Sequence, residues 1–316
     1  MKIAIIGAGI SGLIAAGTFS KDPKNEVVIF DPKKTSHALS SHKAVMRLRN
    51  DKIKDYIDCK LKKITAYKAV YPESQIYDKP NILLNNLYSL KAYGSLGERS
   101  LLSLGKVERY LITHISKQNN IKKAGVGNIV KGNKLLFPDG VDNKYEYKYD
   151  ICISTIPMPA MLKLVGKSYD VEFNYKPINV MTADLKTKCN VHQTLYFTDK
   201  DSSVPYRITI EGNQLIAESI KPIIGITFDK CLRGFGLSWD HIDTLSMTEH
   251  TQKMGKLSPV DDDIRRRIMM DLTDEYNIYS FGRFAVWRPL RIDQTLDDIE
   301  KIKMFIRIKQ KGYYGD

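Results

Sequence analysis

Apolar and polar positions follow two different rhythms along this chain. Lys2–Ile6 (KIAII) is a short, β-rich apolar run, the pattern of a strand buried on both faces. It runs into Gly7-Ala8-Gly9-Ile10-Ser11-Gly12, then a helical pattern over 13–20, a polar turn over 21–26 and a second apolar run, 27–30, closed by Asp31. Further on, 149–159 (YDICISTIPMP) predicts a strand followed by a Thr-Ile-Pro-x-Pro turn. The middle of the chain alternates instead. The segment 60–71 (KLKKITAYKAVY) reads as a strand, and 172–229 holds five short runs, NVMTADLK, HQTLYFTD, VPYRITI, NQLIAES and IIGITFD, that predict an antiparallel sheet. Helical periodicity is read over 101–115. Residues 231–258 read as irregular and polar, and 261–276 as an acid-started amphipathic helix. There is no internal repeat and no low-complexity segment.

The first rhythm carries chemistry. Strand, GxGxxG, helix and a second strand with a terminal acid form a βαβ unit of the dinucleotide-binding kind. Gly7 makes the tight turn, Gly9 lets a pyrophosphate approach the backbone, and Gly12 lets helix and strand pack closely. The helix then offers its N-terminal N–H groups to the phosphates. Asp31, placed 19 residues after Gly12, suits a ribose hydroxyl pair and disfavours a 2′-phosphate. The motif alone does not separate FAD from NAD.

Composition narrows the class without changing this picture. At 316 residues and 43% hydrophobic content the chain buries a substantial core, as one large or two modest domains. Lys plus Arg number 49 against 36 Asp plus Glu, a net charge of +13 that favours anionic partners, nucleic acid among them. Cys59, Cys152, Cys189 and Cys231 lie far apart, without CxxC, which argues against a structural zinc site or a disulfide framework and for a reducing compartment. No apolar run reaches the roughly 18 residues needed to span a bilayer. The glycine-punctuated N-terminus does not read as a signal peptide. The expectation is a soluble cytoplasmic protein with no membrane partner.

The late segment 279–287 (YSFGRFAVW), followed by RPLRIDQTLDDI, joins the N-terminal fingerprint and ISTIP in one pattern. Together these three segments resemble the superfamily of FAD-dependent amine oxidases, protoporphyrinogen oxidases and UDP-galactopyranose mutases. The resemblance implies an α/β fold: a Rossmann-like, glutathione-reductase-like FAD-binding domain with a second, smaller antiparallel-sheet substrate domain. The first would be assembled from 1–60, 105–165 and 275–316, the second from 61–104 and 166–274. It further implies that Gly7, Gly9, Ser11 and Gly12 hold the FAD pyrophosphate and Asp31 the ribose. Val126, in a strand before the FPDG hairpin, would hold adenine, and Thr155 would border the cleft. Gly282 and Arg283, in a GRF..W strand, would lie beside the pyrophosphate and ribityl chain. A helix beginning near Gln294 and Thr295 would aim its positive end at the flavin. As the bland alternatives, Arg283 is a surface strand cation and Trp287 an ordinary core aromatic.

For catalysis, Arg207 in VPYRITI resembles the mutase arginine that binds a substrate diphosphate and is the first candidate anchor for an anion. His42 is a candidate acid or base. The charges around Arg99 and Glu108-Arg109 read as a solvated helical face. The GGR run of amine oxidases and the Gly-Gly-His of the mutases are both missing. The leading expectation is an FAD-dependent oxidoreductase moving hydride from an amine carbon to the flavin. The alternatives are a non-redox mutase-like enzyme on a nucleotide sugar, or a flavin-fold binding protein without turnover. The stretches 42–49, 88–91 and 99–100 also resemble small viral flavoproteins of DNA base hypermodification. For such a protein the substrate would be a small amine or an amine-bearing modified thymine in DNA, and the location the host cytoplasm.

Overall fold

A computed structural model describes residues 1–32, 47–71, 105–116, 120–142, 144–187, 190–197 and 204–310. The order of elements begins β1 (Lys2–Ile6), α1 (Ile10–Phe19), β2 (Glu26–Asp31), β3 (Arg47–Leu48), β4 (Cys59–Tyr71) and β5 (Gly105–Ile115). It continues β6 (Ile121–Lys123), β7 (Asn128–Val130), β8 (Lys134–Val141), β9 (Lys144–Lys148), β10 (Ile151–Ser154) and α2 (Met158–Leu164). Next come β11 (Tyr175–Leu185), β12 (Val191–Phe197), β13 (Arg207–Gly212), β14 (Gln214–Ser219) and α3 (Gly225–Arg233). The last elements are β15 (Ile242–Leu257), α4 (Asp262–Tyr276), β16 (Ile278–Ser280) and α5 (Ile292–Gln310).

The five strands ordered β16-β10-β1-β2-β6 form a wholly parallel sheet. Its central strands β10 and β1 are apolar on both sides because both sides are covered. Ile3 and Ile5 of β1 point toward α1 and α5, packing with Leu13, Leu296 and Ile299. Ala4 and Ile6 point the other way, into a core with Met161 of α2, Ile268 and Leu272 of α4, and Leu135 and Phe137 of β8. The hairpins β7-β8-β9 form a separate three-stranded sheet on that second side. This is a parallel-sheet Rossmann-like core, and the KIAII pattern has its cause in it.

The second sheet has eight strands in the order β15-β11-β14-β13-β12-β4-β5-β3. Its pairs are antiparallel except β12 with β4, which run parallel. One face carries Leu195, Phe197, Ile208, Ile210, Leu215 and Ala217, buried against Phe228, Cys231 and Leu232 of α3. The other face carries Thr194, Arg207, Thr209, Glu211 and Glu218. Arg47 of β3 donates to Glu211 (Nε, 2.6 Å), Thr194 (Nη1, 3.0 Å) and the Ile210 carbonyl (Nη2, 3.4 Å). On a flat sheet β3 and β13, four strand spacings apart, would be separated by about 19 Å. The sheet therefore curls over its polar face into a trough.

Several segments differ from their sequence reading. The described part of 101–115 is strand β5, not helix: its partner β4 supplies a ladder over ten register pairs that the local pattern does not reveal. IIGITFD holds the start of α3 rather than a fifth strand, since a short apolar run is ambiguous between the two. The polar 231–258 contains the sixteen-residue β15, an edge strand whose two half-exposed faces blur the alternation. After Ser280 the GRFAVW segment turns instead of continuing as a strand, with Gly282 at φ +88. The helix over 261–276 is present, its N-cap Asp261 accepting from the N–H groups of Asp263 and Ile264. Among the described residues no helix is long and apolar enough to cross a membrane, and no cluster of His, Cys, Asp and Glu is placed to hold a metal ion.

Candidate functional site

Four strands of the parallel sheet end along one edge, and the candidate cofactor residues extend from those ends. Gly7 follows β1 at φ +104, a conformation that favours glycine, and its N–H donates to the Phe30 carbonyl (2.9 Å). A Cβ on Gly12 would collide with the Gly7 carbonyl, so Gly12 is what lets α1 close onto β1. Thr155, after β10, clasps the same turn: its hydroxyl donates to the carbonyls of Ile6 (2.8 Å) and Gly7 (3.2 Å). Asp31, at the end of β2, accepts from the Ala8 N–H (2.7 Å) and so stands directly beside the loop. The turn after β16 is joined to β10 by Phe281 N–H donating to the Ser154 carbonyl (2.8 Å). It lies so close to α1 that a Cβ on Gly282 would strike the Ser11 side chain.

This edge fits a dinucleotide. A Cβ built on Gly9 meets nothing within 4 Å, leaving open space over the backbone at the N-terminus of α1. A bound pyrophosphate there would lie against the helix dipole. Arg283 bridges the turn and the second sheet, its Nη2 donating to the Gly255 carbonyl of β15 (2.8 Å). Its Nε is buried and meets no hydrogen-bond acceptor among the described residues. Burial also draws its pKa down. This buried N–H, one residue beyond the glycine that abuts Ser11, is a donor that an anionic or carbonyl-bearing ligand would accept from.

Other predicted residues take different posts. Val126 lies in the connection between β6 and β7 rather than in a strand, on a short run released from pairing before the hairpin. The Gln294 side chain accepts from the Arg291 N–H (3.0 Å), and the Thr295 hydroxyl donates to the Ile292 carbonyl (2.6 Å). Both side chains are thus engaged by the first turn of α5. Trp287 is a core aromatic, 1% exposed, whose Nε1 donates to the Ser258 carbonyl (3.1 Å). His42 lies outside the described residues.

Arg207 lies on the polar face of the curled sheet, paired through Nε with Glu218. Burial raises the cost of ionising Glu218, but Arg207 and then Lys256 more than offset it, leaving the carboxyl below its ordinary range. Lys256, next in sequence to the carbonyl that holds Arg283, is lowered to about 8 by burial and by Arg207. Lys68, opposite Thr194 in the ladder, is likewise lowered to about 8 by burial, with Arg109, Arg207, Arg47 and Arg49 adding to the effect. Thr194 and Thr209 share a hydrogen bond beside them (3.0 Å). Residues 68, 109, 218 and 256 were not singled out by the sequence as site residues. The sequence places Arg109 on a solvated helical face, whereas strand register puts it on the same face as Lys68. The trough thus gathers arginines with two lysines whose pKa values are lowered to about 8.

No family model matches the sequence, and no curated protein matches it. Solved structures do match. A reduced UDP-galactopyranose mutase superposes with TM-score 0.65 at 17% identity, covering 91% of this chain and 89% of that one. A CLA-producing fatty acid isomerase from P. acnes gives 0.58 at 12%, covering 89% and 93%. A putative FAD containing monooxygenase from Photorhabdus luminescens subsp. laumondii TTO1 gives 0.51 at 11%, covering 100% and 90%. The chain has the fold of these flavoproteins.

Proposed function

We propose that this protein is an FAD-dependent oxidoreductase of amine-oxidase type, acting on a C–N bond of an amine that carries anionic groups. The observation that carries the reading is the open cradle at Gly9, closed behind by Gly7, Gly12 and Thr155 and overhung by Arg283. In this reading Gly7, Gly9, Ser11 and Gly12 hold the pyrophosphate, Asp31 the ribose, and Val126 the adenine. Gly282, Arg283 and the first turn of α5, with Gln294 and Thr295, border the flavin. Residues 1–60, 105–165 and 275–316 then serve the cofactor and the remainder the substrate, with strand β5 contributing to the trough wall. FAD, when bound, supplies a two-electron acceptor. The chain supplies the rest: Arg207, fixed by Glu218, orients an anionic group of the substrate, and Lys256 takes the proton of a substrate ammonium. An amine-bearing modified base in DNA suits the +13 charge. His42 is kept as a candidate acid or base.

A second reading, a non-redox mutase-like enzyme on a nucleotide sugar, is favoured by the match to the mutase structure and by Arg207. The test is anaerobic spectroscopy of the FAD-loaded protein. Bands near about 370 and 450 nm are expected of the bound flavin. Bleaching by amine-bearing DNA or a small amine supports the oxidoreductase reading. Bleaching by neither, with turnover of a nucleotide sugar after chemical reduction, overturns it in favour of the second. Failure to take up FAD overturns both.

A further inference from the structure

The last helix is apolar on two faces. Leu296, Ile299, Ile302 and Ile306 of α5 are buried in the core shared with α1 and β1. About half a turn around the helix, Met304, Phe305 and Ile308 face outward, 51%, 56% and 41% exposed. Their spacing of three and four residues sets them side by side. The same stretch is basic: 301–310 holds Lys301, Lys303, Arg307 and Lys309 and no Asp or Glu. Lys301 and Lys303 reach back to Asp298 (4.0 Å) and Glu300 (3.2 Å), and Lys309 donates to the Asn277 side chain (2.7 Å). The one-turn helix Lys52–Asp55, packed against α5, adds the exposed Lys52 and Lys54. Basic residues in a last turn complement the helix dipole, but the dipole does not account for three apolar side chains held in water among them.

We propose that this end of α5 is a docking surface for an anionic lipid bilayer. Met304, Phe305 and Ile308 enter the boundary between headgroups and acyl chains, and Lys301, Arg307 and Lys309 meet acidic headgroups. Charge selects this occupant. A second copy seated apolar face to apolar face would set the same cations against themselves. Three half-exposed side chains also fall short of the about 800 Å² per partner that a stable dimer buries. The patch is a ridge, the outer face of one helix ringed by exposed Arg307, Lys309 and Gln310, whereas a partner helix docks in a groove. The expectation of no membrane partner rests on the length needed to span a bilayer, and a helix lying in the interface needs only this face. Lys309 is tied to Asn277, just before β16, so the patch lies at the edge of the parallel sheet opposite the Gly7–Gly9 turn. Docking there does not involve the cofactor residues.

The test is cosedimentation of the full chain, supplied with FAD, with vesicles of phosphatidylcholine alone or with about one part in three of phosphatidylglycerol. Binding to the anionic vesicles is expected, and it is expected to fall about tenfold between about 0.1 and 0.5 M salt. Phe305→Ser is expected to weaken it about tenfold, the loss of one large apolar side chain from the interface. Arg307→Gln is expected to weaken it about fivefold. Leu245→Ser removes an apolar group that is 96% exposed elsewhere, on β15, and is expected to leave binding unchanged. All three positions are exposed, so thermal midpoints are expected to match the parent's. Should Phe305→Ser fail to fold, Arg307→Gln and the salt dependence carry the test. No binding, equal binding to neutral vesicles, parent-like binding by both α5 variants, or an equal loss in Leu245→Ser overturns the proposal. A parent that sediments as a dimer, made monomeric by Phe305→Ser, also overturns it and assigns the patch to a second copy. Flavin bleaching plays no part in these readouts, so failure here leaves the redox reading standing.

Discussion

The two large sheets solve burial in opposite ways. The parallel sheet is apolar on both faces, and its chemistry is confined to the loops at one edge. The eight-stranded sheet spends one face on a core and keeps buried polar groups on the other: Thr194, Thr209 and Glu218 are each less than 9% exposed. In the first sheet, function is added at the ends of a scaffold that would pack without it. In the second, the polar face proposed to bind substrate is part of the packing, so its charges must be satisfied for the sheet to be stable at all.

That difference is testable, and the largest effect is expected where charge and packing are inseparable. Glu218→Gln removes the carboxylate that pairs with Arg207 and attracts Lys256, and is expected to cost about 4 kcal/mol in urea unfolding. A loss indistinguishable from zero would show that the polar face is merely solvated. Gly12→Ala drives a Cβ into the Gly7 carbonyl and is expected to cost about 3 kcal/mol, since the backbone there has no room to yield. Ile208→Val, on the apolar face of β13, removes one methylene from a fully buried site and is expected to cost about 1 kcal/mol. Gly9→Ala sharpens the contrast with Gly12. The fold is expected to keep its stability to within about 0.5 kcal/mol, while FAD affinity drops about tenfold.

A pH dependence is also expected. Lys68 and Lys256 titrate near 8 in the folded protein and near 10.5 when unfolded. Between those values the unfolded chain binds more protons, so stability rises with pH; below about 8 both states are charged and these groups add no slope. Thermal midpoints are expected to climb between pH 8 and about 9.5 and to climb less in Lys68→Met. Tyrosines such as Tyr147, raised to about 12, act in the opposite sense only at higher pH.

The sequence is most readable where one short segment holds both the signal and its cause. KIAII, the spacing of Gly7, Gly9 and Gly12, and Asp31 lie within 31 residues, and the turn they make is local. HQTLYF and NQLIAES alternate clearly enough to be read as strands, but alternation assigns their polar positions to solvent. Only the curl of the sheet, fixed by Arg47 reaching Thr194 and Glu211, encloses them. Lys68, Arg109, Glu218 and Lys256 come from four segments, and no local pattern brings them together. Their proximity is set by β-ladder register over more than a hundred residues. Strand β5 shows the limit most plainly: VERYLITHI matches a helical period, and the pairing with β4 decides otherwise.

The turn after β16 grips the end of β15 twice, through Arg283 to the Gly255 carbonyl and Trp287 to the Ser258 carbonyl. Trp287 sits at φ +46 with its ring 5.2 Å from that of Phe173, whereas the other tryptophan, Trp239, lies against Phe228 of α3. The molecule therefore carries an optical gauge of its own cleft. With Trp239→Phe, ultraviolet emission comes from one indole fastened to both sheets, at the turn that borders the cradle. Its quenching by resonance energy transfer to an isoalloxazine would report cofactor occupancy, and its anisotropy the rigidity of the joint, without any added label.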